Sequence, residues 1–103
     1  MAAKIVGVNV DADSKTVKCV PEPLVVQAGD EVQWGSFHGD ITILFDGKSS
    51  PFERPDWKAN RGQLSKAATV QTVPAKDYGC TVTVMTDDGR VQGHSNIRIP
   101  ASE

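Results

Sequence analysis

The chain has no apolar segment long enough to cross a membrane. A membrane-spanning helix needs about 20 consecutive apolar residues, and no run in this sequence approaches that length. The amino-terminal residues, Met1 to Val6, also lack the long apolar core of a signal peptide. The sequence therefore predicts a protein without a membrane span that is cytoplasmic as written, or periplasmic or secreted if it is the mature part of an exported protein.

The sequence also has little excess of charge of either sign. It contains 11 Lys and Arg residues and 13 Asp and Glu residues, which give a net charge of −2 at pH 7, and the two signs are interspersed. A nucleic-acid-binding surface or a polybasic membrane anchor requires clustered positive charge. We therefore expect no nucleic-acid partner. The composition does not identify another partner, and it is compatible with a protein partner.

Sequence motifs of catalysis are missing as well. The chain has no nucleophile elbow, no glycine-rich phosphate loop and no paired metal-binding motif. With 103 residues it is large enough for one domain with its own core, and a second domain does not fit. We expect a single domain over residues 1–103 that is not an enzyme.

Strand patterns dominate what is present. Apolar and polar residues alternate in short segments, and clusters such as Asp11 to Ser14 and Asp87 to Gly89 are typical of the turns between strands. The lack of a helical period favours an all-β fold, an antiparallel β-sandwich. The alternation assigns the following residues to the core: Val8, Val32, Trp34, Ile43, Phe45, Val70, Val82, Val84 and Ile99.

The segments from Pro23 to Trp34 and from Tyr78 to Val84 carry the clearest family pattern. In the first segment an apolar strand, an Ala-Gly-Asp turn and a second strand ending in Trp34 make a β-corner, and the second segment supplies a strand that packs against it. This pattern resembles the cupredoxin family over most of the chain, and the resemblance implies a Greek-key β-sandwich. It also raises copper as a cofactor, because the blue-copper site uses two His, one Cys and a weak axial Met.

The copper-ligand loop of that family is not recognisable here, although His38, Cys80, Met85 and His94 are present. Cys80 opens a strand, and the extended rise from Cys80 to Met85 is about 16 Å, too long for both side chains to bind one ion. We therefore expect no type-1 copper site, no cofactor, and solvated loop positions for His38 and His94. The alternative is an atypical metal-binding or electron-transfer cupredoxin that uses His38, Cys80 and His94.

The order of Cys19, Trp34, Tyr78 and Cys80 supports a second resemblance, to immunoglobulin-like domains. In those domains an inter-sheet disulfide packs on a Trp, and a Tyr closes a corner. An immunoglobulin-like sandwich is therefore the alternative fold. Whether Cys19 and Cys80 are joined stays open, because a reducing cytoplasm would keep them as buried thiols whereas an oxidising compartment would permit a disulfide.

The segment from Asp46 to Leu64 has no strand period and is the candidate functional segment. It exceeds the usual limit of about 12–15 residues for a structureless loop, so we expect an organised loop, a short helix or a binding role. Its clustered Phe52, Arg54, Trp57 and Arg61 predict a partner-binding surface with Trp57 as the anchor. In the alternative, Phe52 and Trp57 fold back and cap the sandwich. The predicted function is that of a binding or structural module.

Overall fold

The chain folds into β-strands joined by turns and loops. The computed structural model describes residues 3–11, 13–21, 23–46 and 50–101, and no helix occurs within these ranges. The all-β prediction is therefore confirmed. The strands are β1 (Ala3–Asp11), β2 (Thr16–Val20), β3 (Leu24–Val25), β4 (Glu31–Gly35), β5 (Asp40–Phe45), β6 (Asp56–Ala59), β7 (Ala68–Thr69), β8 (Asp77–Thr86) and β9 (Gly89–Arg98).

The strands form two mixed sheets. The first sheet has the strand order β2-β1-β4-β7, and the second has the order β3-β9-β8-β5-β6. Most neighbours are antiparallel, but β1 runs parallel to β4 and β3 runs parallel to β9. The expectation of a wholly antiparallel sandwich is therefore wrong. The chain crosses from the first sheet into the second at β3 and returns at β4, so that β4 lies beside β1 instead of forming a hairpin with β3.

The crossing between the sheets is the predicted β-corner. The turn between β3 and β4 contains Gly29 with a φ of 91°, a conformation that glycine adopts without strain. The Asp30 carboxylate accepts a hydrogen bond of 3.0 Å from the Gln27 backbone N–H, which closes the turn. On either side of it, Val26 and Trp34 are buried. The prediction of a corner that delivers an inward-facing Trp34 is confirmed.

Both predicted hairpin turns occur. Between β1 and β2, the Asp11 carboxylate accepts hydrogen bonds of 2.9 and 3.3 Å from the backbone N–H groups of Asp13 and Ser14. Ala12, in the same turn, lies outside the described residues. Between β8 and β9, Gly89 has a φ of 119°, which favours glycine over other residues.

One hydrophobic core receives side chains from both sheets. Every residue that alternation assigned to the core is buried, and none is more than 9% exposed. The prediction succeeds because successive side chains of a strand point to opposite faces. The core also contains four aromatic rings whose contacting centroids lie 5.4 to 6.4 Å apart: Trp34, Phe45, Phe52 and Trp57.

The segment from Asp46 to Leu64 contains a strand that the sequence pattern did not reveal. β6 pairs antiparallel with β5 and places Trp57 opposite Ile43. The prediction of a segment without a strand is therefore wrong for residues 56–59. A strand of 4 residues, directly after Pro55, is too short to display a convincing alternation. Residues 47–49 of this segment lie outside the described ranges.

Both cysteine side chains point into the core, as the alternation predicts. Cys19 lies on β2 in the first sheet and Cys80 on β8 in the second, and both are buried. Tyr78 is buried as well, and its hydroxyl donates a hydrogen bond of 2.6 Å to the carbonyl oxygen of Pro74. A hydrogen bond from a Tyr hydroxyl to the backbone a few residues upstream is the contact that defines a tyrosine corner.

Candidate functional site

A groove opens on the outer face of the first sheet where two glycines lie side by side. Gly7 of β1 pairs with Gly35 of β4 in the parallel register, and neither contributes a side chain to this face. The residues Ile5, Phe37 and Leu64 stand around the glycines, and the cavity has a volume of about 280 Å³. We call these five residues the Phe37 groove.

The two glycines differ in what lies above them. A Cβ atom on Gly35 would come within 2.8 Å of Leu64 Cδ2, so the Leu64 side chain covers Gly35. A Cβ atom on Gly7 would meet only the carbonyl oxygen of Val20, at 3.9 Å. The space above Gly7 is therefore open, and it is the part of the groove that a group from another molecule can enter.

The Phe37 groove leaves large apolar side chains in contact with water. Phe37 is 82% exposed, Ile5 is 59% exposed and Leu64 is 47% exposed. Val20, which pairs with Gly7 across β1 and β2, adds another exposed apolar side chain to the same patch. Single exposed apolar residues are ordinary on a protein surface, but a contiguous exposed cluster is typical of an interaction site.

The groove is also uncharged. None of the described residues that line the cavity is Asp, Glu, Lys, Arg or His, and its polar side chains are those of Asn9, Ser36 and Gln63. Without a charged side chain, the groove offers no ion-pairing partner to a phosphate group or a metal ion. Its chemistry suits an apolar side chain with few hydrogen-bonding groups.

Hydrogen bonds hold the loop that carries Phe37. The Ser36 hydroxyl oxygen accepts a hydrogen bond of 3.1 Å from the His38 backbone N–H, and the Ser36 carbonyl oxygen accepts one of 2.8 Å from Gly62. On the other side, Arg61 Nε donates to the Phe37 carbonyl oxygen at 2.8 Å. The backbone is therefore fixed around an exposed ring, and such preorganisation lowers the entropy lost on binding.

A second concavity, of about 310 Å³, lies beside this loop and is polar. Its lining includes His38, Arg61, Asp87 and Arg90. Arg61 Nη1 lies 3.6 Å from Asp87 Oδ1, and both side chains are more than half exposed, so this ion pair contributes little to stability. Because side chains of both signs line the concavity, it favours neither an anionic nor a cationic ligand.

The structure separates the residues that the sequence predicted to bind a partner. Phe52 is 5% exposed and Trp57 is 3% exposed, and both belong to the core, as the capping alternative requires. The Arg54 guanidinium carbon lies 4.8 Å from the centroid of the Trp57 ring. Arg61 is exposed and contacts the Phe37 loop. Because burial alone does not measure binding, a partner-binding role for these four residues stays a prediction.

The candidate copper ligands do not converge. Cys80 is buried on β8, where its Sγ donates a hydrogen bond of 3.5 Å to the Ser95 carbonyl oxygen. His94 is exposed, and it lies within β9 and not in the predicted loop. His38 precedes β5, at the opposite end of that strand from the residue that pairs with Cys80. The structure therefore does not bring these three residues together, and no group of three or more possible metal ligands occurs in the described part of the chain.

Sequence reasoning did not identify Phe37 or the glycine pair. Phe37 is a single aromatic residue in a loop of Gly, Ser and His, so it belongs to no periodic pattern. The one signal in the sequence was that this aromatic residue lies outside every predicted strand. Gly7 and Gly35 are distant in the sequence, and only the parallel pairing of β1 with β4 brings them together.

Comparison with known proteins does not assign the chain to a family. No protein-family model matches it, and no curated protein matches it. Across the described ranges, the structure contains no helix with the length and apolar character needed to traverse a bilayer.

Proposed function

We propose that this chain is a non-enzymatic binding or structural module whose contact surface is the Phe37 groove. The observation that carries the proposal is an aromatic side chain that is 82% exposed on a loop held in place by hydrogen bonds. Burial of a Phe side chain contributes about 1.5–3 kcal/mol, and here it is gained only when another surface covers the ring. A partner that inserts an apolar group above Gly7 would cover Phe37, Ile5 and Leu64 together.

The fold proposed for this module is a cupredoxin-like Greek-key sandwich. The crossing of the chain from the first sheet to the second at β3, and back at β4, supports this class. The hydrogen bond from Tyr78 to Pro74 supports the immunoglobulin-like alternative. Both folds provide a rigid scaffold for a contact made by a loop.

The module is proposed to act without copper or another cofactor. The burial of Cys80 and the exposure of His94 support this part of the proposal. A concavity of about 700 Å³ beside Ile99 supports a non-enzymatic role, because its described lining contains no titratable side chain. The alternative of an atypical metal-binding cupredoxin requires His38, Cys80 and His94 to converge, which would need the second sheet to rearrange.

A random peptide library displayed on phage tests the proposed surface. The wild-type chain should enrich peptides that carry apolar side chains, and Phe37→Ser should weaken their binding about thirtyfold, the scale of an aromatic hot spot. Leu44→Ser is the matched control, because Leu44 is 51% exposed on the other sheet. Enrichment of no peptide, or an equal loss of binding in both variants, would exclude the Phe37 groove as the contact surface.

A further inference from the structure

We infer that a separate surface of this chain, beside the last strands of the two sheets, binds a phosphate group. The surface is a concavity of about 280 Å³, and its described lining consists of Arg54, Asp56, Trp57, Lys58 and Lys66. We call these five residues the Lys66 site. They belong to β6 and to the segments next to β6 and β7. The site shares no described lining residue with the Phe37 groove, so the inference does not depend on the proposed function.

Positive charge dominates the Lys66 site. Arg54, Lys58 and Lys66 contribute three positive charges and Asp56 contributes one negative charge, which leaves a surplus of two on a chain whose net charge is −2. Within the described ranges, none of the three cations forms an ion pair. A phosphate group carries about −1.5 to −2 charges at pH 7 and has strong acceptor oxygens. Its charge therefore matches the surplus.

The indole N–H of Trp57 is a further donor at the Lys66 site. The Trp57 side chain is 3% exposed, and no described residue accepts a hydrogen bond from its Nε1. A buried N–H without an acceptor is rare and costs free energy. An indole N–H donates a hydrogen bond and does not accept one, so its partner must be an acceptor such as a phosphate oxygen.

Arg54 connects this buried donor with the charged surface. Its guanidinium carbon lies 4.8 Å from the centroid of the Trp57 ring, so an exposed side chain covers the ring. The cation–π contact of an exposed arginine is weak, whereas a guanidinium forms strong paired hydrogen bonds with phosphate oxygens. We therefore expect Arg54 to turn from the ring to the bound phosphate, which gives the same ligand access to the indole N–H.

Hydrogen bonds fix the backbone on both sides of the Lys66 site. The Ser65 hydroxyl oxygen accepts a hydrogen bond of 3.0 Å from the Trp34 backbone N–H, and the hydroxyl donates one of 3.0 Å to the Lys66 carbonyl oxygen. On the other side, the Pro55 carbonyl oxygen accepts a hydrogen bond of 2.8 Å from the Phe45 backbone N–H. The charged side chains therefore start from fixed backbone positions, which lowers the entropy lost on binding.

Heteronuclear NMR of the isotope-labelled protein tests the inference. The chain contains 2 Trp residues, so two indole N–H resonances are expected, and Trp57→Phe identifies one of them by removing it. Titration with inorganic phosphate should shift the Trp57 indole resonance downfield until the site is saturated. Sodium chloride at equal ionic strength is the control and should produce no such shift.

Substitutions at exposed positions separate the site from the overall charge of the protein. Arg54→Gln and Lys66→Gln should each raise the phosphate dissociation constant about tenfold, the scale of one charge-assisted hydrogen bond. Arg90→Gln is the matched control, because Arg90 is equally charged and exposed but lines a different concavity. It should bind phosphate like the wild type. Circular dichroism establishes that each variant is folded.

Trp57→Phe tests the indole donor itself, because it keeps an aromatic ring and removes the N–H. It should raise the phosphate dissociation constant about fivefold, the equivalent of one hydrogen bond. The backbone amide resonances of Lys58 and Lys66 report binding in this variant. Comparison of O-phosphoserine with inorganic phosphate identifies the source of the ligand: tighter binding of O-phosphoserine supports a phosphate ester, and weaker binding supports the free anion.

Four results would overturn the inference. The first is a Trp57 indole resonance that phosphate does not shift to saturation, and the second is the same shift with sodium chloride. The third is an equal loss of affinity in Arg90→Gln and Lys66→Gln, which would assign the effect to the overall charge. The fourth is wild-type affinity in Trp57→Phe.

Discussion

Arg61 joins two loops, because its Nε donates a hydrogen bond of 2.8 Å to the Phe37 carbonyl oxygen while its own backbone N–H donates to Asp40. The second bond, to Asp40 Oδ1, is also 2.8 Å long. Arg61, the second residue after β6, therefore fixes the segment that precedes β5. In our proposal, Arg61 acts by positioning the Phe37 ring and does not contact the partner.

Arg61→Ala is expected to weaken binding by the Phe37 groove about fivefold, the equivalent of one hydrogen bond of about 1 kcal/mol. The free energy of unfolding should fall by no more than about 1 kcal/mol, because the lost hydrogen bond lies at the surface. The affinity for the selected peptides provides the measurement. Arg61→Lys should bind as poorly as Arg61→Ala, since an ammonium group does not reproduce the Nε donor. Full binding by the Lys variant would show that binding depends on the positive charge at residue 61 and not on the Nε hydrogen bond.

Trp57→Ala is expected to lower the free energy of unfolding by about 3–5 kcal/mol. The side chain is 3% exposed, and its ring centroid lies 6.2 Å from that of Trp34, so its loss leaves a cavity in the aromatic cluster. Urea-induced unfolding measures the effect, and Phe37→Ala is the control, with a change of less than about 0.5 kcal/mol. Binding of the selected peptides by folded Trp57→Ala should be unchanged. A small loss of stability together with lost binding would instead show that Trp57 is part of the contact surface.

Two alanine substitutions at glycine should have opposite effects on stability. A Cβ atom on Gly39 would overlap the backbone carbonyl oxygen of Met85, so Gly39→Ala should destabilise the fold by about 1–3 kcal/mol. The space above Gly7 is open, and Gly7→Ala should stabilise its strand by about 0.5–1 kcal/mol, because it restricts the unfolded chain. Chemical denaturation of both variants measures the difference. Equal stability of the two would contradict the packing at Gly39.

The pair formed by Asp77 and Arg98 should make stability depend on pH. Arg98 donates hydrogen bonds of 2.9 and 3.3 Å to the Asp77 carboxylate, which holds the pKa of Asp77 below its ordinary value of 3.8. Because the folded-state pKa is lowered, the pair stabilises the fold above pH 3.8, and the contribution is lost as the pH falls through the folded-state pKa.

The wild type should therefore melt at a higher temperature than Asp77→Asn at neutral pH, and the two melting temperatures should converge in acid. Thermal unfolding followed by circular dichroism over a pH series measures this difference. A difference that persists in strong acid, where the carboxyl group is protonated, would assign the effect to something other than ionisation.

Addition of Cu(II) should produce no intense visible band from a thiolate bound to copper. Cys80 is buried whereas His94 is exposed, so the two side chains are not placed to bind the same ion. An absorption titration of the wild type, with His38→Ala and His94→Ala as controls, provides the measurement. Tight stoichiometric binding that either control abolishes would favour the metal-binding alternative.

Alternation predicted burial more completely than it predicted strand pairing. Val32 and Trp34 are assigned to the core from β4 alone, because the two faces of a strand follow from its own sequence. The direction of the neighbouring strand does not follow from that sequence. Nothing in Ile5 or Gln33 indicates that they are partners in a parallel register, so the mixed character of the sheets was not predictable from the pattern.

The candidate site was predictable only in part. Aromatic residues clustered in one segment are consistent with both packing and binding, and the pairing of β6 with β5 is what places Trp57 in the core. Arg61 was identified from that cluster, although its contact with the Phe37 loop was not. The groove depends on the absence of side chains at Gly7 and Gly35, and a missing side chain leaves no apolar pattern in the sequence.

The parallel pairing of Gly7 with Gly35 also sets when the groove forms during folding. β8 and β9 are joined by a short turn and can pair as soon as both have been synthesised, because their contacts are local. β1 and β4 are separated in the chain by β2, β3 and the corner, and non-local pairing of this kind is slow. A chain in which β1 and β4 have not yet paired therefore lacks the groove, because its two glycines do not lie side by side.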